Sequence, residues 1–256
     1  PYLLIGVVGL IKVNYLIKYI GDVGNGYYQF ITQLISYVFL AQAGFSEAVT
    51  YSLYKPFAEK NKNDVNRIYS GARYIYKIIG SIILGIIFLV SLGLFIYYNN
   101  DPYRNSALIC FIVISTSYLI AYFGKTQTYG AVLMANQEKY IHSIVNNFMK
   151  LLCDILTIFV IVKFRSLESI AILILIIKII EEIVMRIVVK KRYNWLEEVS
   201  NRNTSMAKMT KDLIWSQVGY LVLNNVDAVL IMFFIGPVAV SIYTSYNFIL
   251  RYLEEI

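Results

Sequence analysis

The chain of 256 residues is 58% hydrophobic and only 15% charged, and its mean hydropathy is +0.61. A soluble domain carries about 25% charged residues, so this composition excludes an ordinary soluble protein. The net charge of +7 resides mainly in loops beside apolar stretches, which is typical of the positive-inside bias and does not require a nucleic-acid partner. Cys110 and Cys153 lie in apolar segments and predict neither a disulfide framework nor a metal site.

Long uncharged stretches, such as 78–98 and 105–124, alternate with short polar loops. About 20 apolar residues cross the hydrocarbon core, so the pattern predicts an all-α integral membrane protein, a polytopic bundle of about 7–8 transmembrane helices. In chain order, the predicted helices are 3–20, 25–50, 75–98, 106–134, 140–163, 167–189, 211–235 and one that begins at 238.

The predicted helices divide into two lobes joined by a basic segment. We expect residues 1–190 to form a first lobe of six helices, 191–211 a basic cytoplasmic linker, and 212–256 the start of a second lobe. The chain begins with Pro1, and it stops in the middle of a helical pattern. We therefore expect it to be an internal piece of a longer protein.

Charge predicts the orientation of the bundle. The loops after helices 2, 4 and 6 are basic, and the first of these is predicted to carry Lys55, Lys60, Lys62, Arg67, Arg73 and Lys77. The opposite loops carry few basic residues. The N-terminal side of helix 1 is therefore expected in the cytoplasm.

One short internal repeat accompanies this division. Residues 20–23 recur almost unchanged at 235–238, and Tyr28 has its counterpart in Tyr243. A repeat with the same direction implies two halves related by an axis along the membrane normal. Chance similarity between two apolar hairpins is the alternative.

Charged residues at membrane depth usually face a bundle interior or a water-filled cavity, and seven such residues of the predicted helices are candidates for contact with a substrate. These substrate or cavity candidates are Lys12, Lys150, Asp154, Lys178, Glu181, Glu182 and Asp227. Spacing of four on a helix predicts two pairs, Lys150 with Asp154 and Lys178 with Glu182. Such pairs either only stabilise packing or line a hydrophilic cavity between the lobes.

The repeat also places Lys12 and Asp227 at equivalent depths, which suggests an ion pair across the two lobes. The alternative is that each residue faces water in its own lobe. Lys12, Lys150 and Lys178 lie too deep for topology control, and we interpret them as candidate contacts for a pyrophosphate or an anionic sugar. Basic loop residues are explained by topology control, although they would also attract anionic headgroups.

No enzyme constellation is visible. His142 is the only histidine and has no nucleophile nearby in sequence, and no Walker-type phosphate loop is present. The sequence therefore predicts no enzyme, no cofactor and no metal site.

Three motifs carry a family resemblance: Tyr51–Pro56, Ala135–Tyr140, and Ile242–Asn247 after Asp227 and Gly236. They resemble the oligosaccharide flippase (polysaccharide biosynthesis protein) family of the multidrug/oligosaccharidyl-lipid/polysaccharide exporter superfamily. Where relatives tend to have Asp in the second motif, this chain has Asn136.

The resemblance implies two six-helix lobes around a central cavity and alternating access. The function it implies is movement of a lipid-linked oligosaccharide across the bacterial cytoplasmic membrane for surface polysaccharide biosynthesis. Expected partners are an undecaprenyl pyrophosphate-linked glycan, membrane lipids, a polysaccharide polymerase and assembly proteins. Energy would come from a proton or sodium gradient, the membrane potential or consumption of the glycan.

Two other functions stay open. A drug/cation antiporter of the same superfamily would favour isolated acidic residues in a more apolar cavity. A membrane-integral polysaccharide polymerase or glycosyltransferase would need a large extramembrane loop or an acidic and arginine catalytic cluster, and the longest predicted loops, 55–74 and 190–211, are short and basic.

Overall fold

The structure is a computed structural model that describes residues 2–39, 44–97, 102–208 and 226–254. Across these ranges the protein is helical and contains no strand, which confirms the predicted all-α class. The helices are α1 Tyr2–Val38, α2 Phe45–Ala58, α3 Lys62–Tyr97, α4 Arg104–Phe123, α5 Thr126–Ala135, α6 Lys139–Phe164, α7 Leu167–Arg192, α8 226–234 and α9 Pro237–Glu254.

Four described helical stretches are long and apolar enough to cross a membrane, which confirms a polytopic membrane fold. They are Leu4–Val38, Lys62–Tyr97, Arg104–Phe123 and Lys139–Phe164. Helix α7 is as long as α6, but its second half carries Lys178, Glu181, Glu182 and Arg186. Large apolar side chains of α3, including Phe88 and Ile96, point away from the protein, as expected on a surface that faces lipid.

Several predicted boundaries were wrong. The predicted helix 25–50 is interrupted: α1 ends at Val38, and α2 begins after Gly44, whose φ of 76° is left-handed. The predicted helix 106–134 is two helices, α4 and α5, separated at Gly124. Much of the predicted loop 55–74 is helical, because α3 already begins at Lys62. Most of the predicted helix 211–235 lies outside the described residues.

The glycines of the short repeat both interrupt helices. Gly21 inside α1 has a φ of 81°, and Gly236 between α8 and α9 has a φ of 118°, conformations that glycine adopts without strain. Lys12 and Tyr28 line the same cavity, although a straight helix would separate them by about 24 Å. The halves 2–20 and 22–38 of α1 therefore fold towards each other across Gly21, as the predicted turn requires.

The two glycine turns also pack on each other. The backbone of Gly26 lies against the carbonyl of Pro237, with no room for a Cβ atom between them. Asn25 donates a hydrogen bond of 2.8 Å to Ser241, and both side chains are fully buried. Helices α1 and α9 therefore meet where the sequence predicts equivalent positions of two lobes, although the lobe boundaries themselves stay a prediction.

Part of the predicted basic linker, residues 193–205, is a loop that lies along α3. The amide of Asn203 donates to the carbonyl of Arg67 at 3.0 Å, and the amide of Val199 donates to the hydroxyl of Ser70 at 2.8 Å. Gly71 makes this approach possible, since a Cβ there would fall 1.8 Å from the Asn203 carbonyl oxygen. The loop is thereby tied to the N-terminal part of α3.

Candidate functional site

Five of the seven predicted site residues line one cavity. It has a volume of about 440 Å³ and lies between α1, α4, α6 and α7. Its charged side chains are Lys12, Lys150, Asp154, Lys178 and Glu181. We call this space the charged compartment. The charged compartment lies between helices of the predicted first lobe. The sequence analysis, in contrast, predicted a cavity between the two lobes.

The ion pair of Lys12 differs from both predicted pairings. Lys12 Nζ lies 2.5 Å from Asp154 Oδ1, and the side chains are 18% and 9% exposed. Asp154 is therefore bound by α1, and the predicted Lys150–Asp154 pair was wrong. The predicted Lys12–Asp227 pair is not formed either, because Asp227 is exposed and accepts a hydrogen bond of 2.6 Å from Tyr243.

A second ion pair joins neighbouring positions of α7. Lys178 Nζ lies 2.7 Å from Glu181 Oε2, which replaces the predicted pairing with Glu182. The same ammonium group lies 5.0 Å from the centre of the Tyr118 ring on α4, close enough for a cation–π contact. Lys178 is thus held between α4 and its own helix.

Glu182 stabilises the break between α4 and α5. Its buried carboxylate accepts hydrogen bonds from the backbone amides of Lys125 and Thr126, at 2.7 and 3.1 Å, and from the Thr126 hydroxyl at 2.6 Å. Arg186 donates a further bond of 2.6 Å. A carboxylate at the N-terminus of α5 satisfies free amides and complements the helix dipole. Glu182 therefore acts mainly as a structural cap, although it also lines a neighbouring pocket of about 230 Å³ with His142.

Lys150 is the exposed cation of the charged compartment and forms no ion pair with the residues that the structure describes. Lys12 and Lys178 are each neutralised by a carboxylate. The compartment thus presents three ammonium groups against two carboxylates, which favours an anionic occupant.

Uncharged residues complete the site, and the sequence analysis missed them. A further pocket of about 280 Å³ adjoins the charged compartment, and Tyr28 and Tyr118 line both. Tyr118 also lines the pocket beside His142. Polar residues within apolar helices, such as Gln127 and Asn146, are the sequence signal for this part of the site.

Outside the membrane spans, the motif Ala135–Tyr140 ties the α5–α6 turn to the end of α7. Asn136 donates to the Tyr193 hydroxyl at 2.8 Å, and that hydroxyl donates to Glu138 at 2.6 Å. Arg192 donates to Glu138 from two nitrogens, with the Nε bond at 2.7 Å. The Arg192 guanidinium and the Tyr193 hydroxyl hold the pKa of Glu138 below its usual range, whereas burial and Glu138 raise the pKa of Tyr193 to about 12. The Asn at position 136 thus has a structural hydrogen bond.

A second network links the 193–205 loop to the α4–α5 break. Glu198 lies 3.4 Å from Arg73 Nε and 3.4 Å from Lys125 Nζ. Arg73 also donates to the carbonyl of Phe123, the last residue of α4. Partial burial raises the pKa of Glu198, but the two cations outweigh it and the net shift is downward. The loop therefore contacts both ends of the break, Phe123 through Arg73 and Lys125 through Glu198, in addition to the cap by Glu182.

The fold is shared with a known transporter. No protein-family profile and no curated protein sequence matches the chain. Among solved structures, it is similar to an inward-facing conformation of a multidrug resistance MATE family transporter of the MOP superfamily, with a TM-score of 0.67 and 13% identity. The match covers 96% of this chain and 57% of that one, so this chain spans little more than half of the transporter's length. At 13% identity, this likeness establishes the fold.

Proposed function

We propose that the chain is part of a flippase that moves a lipid-linked oligosaccharide across the bacterial cytoplasmic membrane by alternating access. One observation carries the proposal: a cavity between α1, α4, α6 and α7 collects Lys12, Lys150 and Lys178, and Lys150 forms no ion pair with the described residues. The fold shared with a transporter of the MOP superfamily supports a transport function.

The charge balance of the cavity supports an anionic cargo. A cation within a membrane carries a large desolvation cost unless water or a partner compensates it. Lys12 and Lys178 have carboxylate partners, so an arriving pyrophosphate would meet Lys150 first and then share the other two ammonium groups. We expect the lipid tail to stay in the bilayer while the phosphate and the sugars enter the cavity.

The predicted orientation is compatible with inward opening. With the N-terminus of helix 1 in the cytoplasm, the Gly21 turn and the nearby contact of Gly26 with Pro237 would lie on the outer side. Tight packing there would close the outer side while the inner side admits cargo. Under this proposal, an ion gradient, the membrane potential or glycan consumption would supply the energy, and a polymerase would receive the product.

A drug/cation antiporter is the second candidate. Two carboxylates, Asp154 and Glu181, line the same cavity, and the structural neighbour is described as a multidrug resistance transporter. Each carboxylate already has a lysine partner at 2.7 Å or less, so a cationic drug would have to displace an ammonium group. This competition makes an anionic cargo the better match.

The test uses the full-length parent protein in its source bacterium. We expect deletion to abolish one surface glycan and to trap its lipid-linked repeat units in the inner leaflet. Wild-type protein and Lys163→Met, which removes an exposed lysine at the end of α6, should restore the glycan. Lys150→Met should not. Intact glycan with raised sensitivity to cationic drugs would instead establish the antiporter.

A further inference from the structure

The pocket beside the charged compartment has a different chemistry. It lies between α1, α4, α5 and α7, has a volume of about 280 Å³, and none of its described lining side chains is charged. Its polar lining consists of Tyr28, Thr32, Ser36, Tyr118, Tyr122 and Gln127. We call it the tyrosine compartment. Small-molecule sites usually measure about 300–1,000 Å³, so this space suits a single ring-sized group.

The two compartments share a wall. Tyr28, Tyr118 and Ile174 line both of them. On the charged side, Lys178 lies 5.0 Å from the centre of the Tyr118 ring; on the other side, Phe39 packs 5.6 Å from the same ring centre. A ligand with an anionic part and an adjacent ring could therefore occupy both compartments at once.

The hydrogen-bonding groups of the tyrosine compartment suit hydroxyls. The Thr32 and Ser36 hydroxyls donate their protons to backbone carbonyls at 2.8 and 3.2 Å, which leaves their oxygens as acceptors. The Gln127 amide both donates and accepts. Tyr122 is fully buried, and its hydroxyl has no hydrogen-bond partner within the described part of the chain.

These features disfavour an apolar occupant. An apolar chain in this space would displace water from the polar side chains without offering them hydrogen bonds. Because unsatisfied buried polar groups cost free energy, binding of such a chain would be unfavourable. A sugar ring offers hydroxyls at its edge and C–H groups on its faces, which match the aromatic and aliphatic walls formed by Phe39, Ile35 and Ile114.

We propose that the tyrosine compartment binds a neutral hexose ring next to an anionic phosphate held by Lys150. This inference rests on the proposed function and adds a division of the site into two parts. The charged compartment binds the phosphate irrespective of the sugar. The tyrosine compartment binds the first sugar and determines which sugar is accepted. Tyr122 and Gln127 then determine sugar affinity without contributing to phosphate affinity.

The experiment compares two probes on the full-length parent protein in nanodiscs. Methyl farnesyl phosphate is a phosphodiester with one negative charge, and glucosyl farnesyl phosphate replaces its methyl group with one neutral hexose, so the two probes carry the same charge; equilibrium binding of each is measured. We expect the wild type to bind the glucosyl probe more tightly. Tyr122→Phe and Gln127→Leu should each weaken that probe about 2- to 10-fold, the effect of one hydrogen bond, and leave the affinity for methyl farnesyl phosphate unchanged.

Two controls separate the compartments. Tyr37→Phe removes another buried hydroxyl that has no partner among the described residues but does not line the compartment, and it should change neither affinity. Lys150→Met should weaken both probes equally.

The outcomes distinguish this inference from the proposed function. If the wild type binds both probes equally, or if Tyr122→Phe and Gln127→Leu leave the glucosyl preference intact or weaken both probes alike, the sugar assignment is overturned while the anion site stands. If neither probe binds the wild type, the proposed function fails and this inference fails with it.

Discussion

Lys12 on α1 and Asp154 on α6 form an ion pair of 2.5 Å although 142 residues separate them in sequence. The pair fastens the first half of α1 to the wall of the charged compartment. It also fixes the charge that the compartment offers, because it neutralises one of the three lysines. Its integrity should therefore affect both stability and ligand binding.

We predict that Lys12→Met destabilises the protein, because it leaves the Asp154 carboxylate 9% exposed and unpaired. Removing one partner of a buried ion pair costs about 3–5 kcal/mol of stability. Because Asp154 lines a polar cavity, we expect the loss for Lys12→Met at the lower end of this range. Thermal unfolding of the full-length protein in detergent measures the effect. Lys150→Met, which removes an unpaired cation from the same cavity, should change stability by less than about 1 kcal/mol.

The exchange of both charges tests whether the pair itself is responsible. We expect Lys12→Asp combined with Asp154→Lys to recover much of the stability lost in either single variant. A double variant as unstable as the sum of the singles would show that the two side chains act independently.

The sequence predicted which charged residues line the charged compartment better than it predicted which of them form ion pairs with each other. Charged residues within apolar helices face polar space, so five of the seven candidates could be found from depth alone. Helical spacing gives neighbours on one helix, but it does not say which other helix packs alongside. The partner of Asp154 therefore depends on the packing of α1 against α6, and the sequence around Lys12 does not indicate that these two helices are neighbours.

The α4–α5 break could not be predicted for a related reason. Gly124 and the polar residues 125–128 that follow it are a local signal for a helix end, but they lie between two apolar segments and do not by themselves show that the helix ends there. The cap that stabilises the break comes from Glu182, 57 residues later in the chain. A tertiary contact thus overrides the local preference for one long helix.

We predict that Gly124→Ala destabilises the protein by about 1–3 kcal/mol. The new Cβ would lie 2.4 Å from both the Glu182 carboxylate and the Ile120 carbonyl oxygen, so the end of α4 must shift and the carboxylate must move away from the buried amides of α5. Gly85→Ala is the matched control, because its Cβ meets nothing within 4 Å, and helical alanine should be neutral or stabilising by about 0.5–1 kcal/mol. Equal unfolding temperatures for the two variants would contradict the capping role.

We predict that Glu138 makes stability depend on acid pH. Its pKa is lower in the folded protein than the ordinary glutamate value of 4.5, because hydrogen bonds from Arg192 and Tyr193 favour the carboxylate. The contribution is therefore fully present above about pH 4.5 and is lost as the pH falls through the lower folded value. Comparing unfolding temperatures at pH 7 and pH 3.5 should show a smaller difference in Glu138→Gln than in the wild type. An unchanged difference would rule out this role.

The contact between Gly26 and Pro237 predicts that α1 and α9 cannot approach if residue 26 has a side chain. In Gly26→Ala, the Cβ would lie 1.9 Å from the Pro237 carbonyl oxygen, so the two helices must separate. Spin labels at the exposed positions 22 and 242, on a background without other cysteines, report the separation by electron–electron distance measurement. We expect the distance distribution to shift to longer values.

Gly21→Ala separates this steric effect from backbone strain. Its Cβ meets nothing within 4 Å, but its φ of 81° and ψ of 168° lie in a region restricted almost entirely to glycine and would cost an alanine about 1–3 kcal/mol. We expect this variant to lower the unfolding temperature while it keeps the wild-type distance between the labels. Longer distances in both variants would mean that any disturbance of the α1 turn opens the α1–α9 contact. Longer distances in Gly26→Ala alone would show that close approach at Gly26 keeps the two helices together, as closure of the outer side under the proposed alternating access requires.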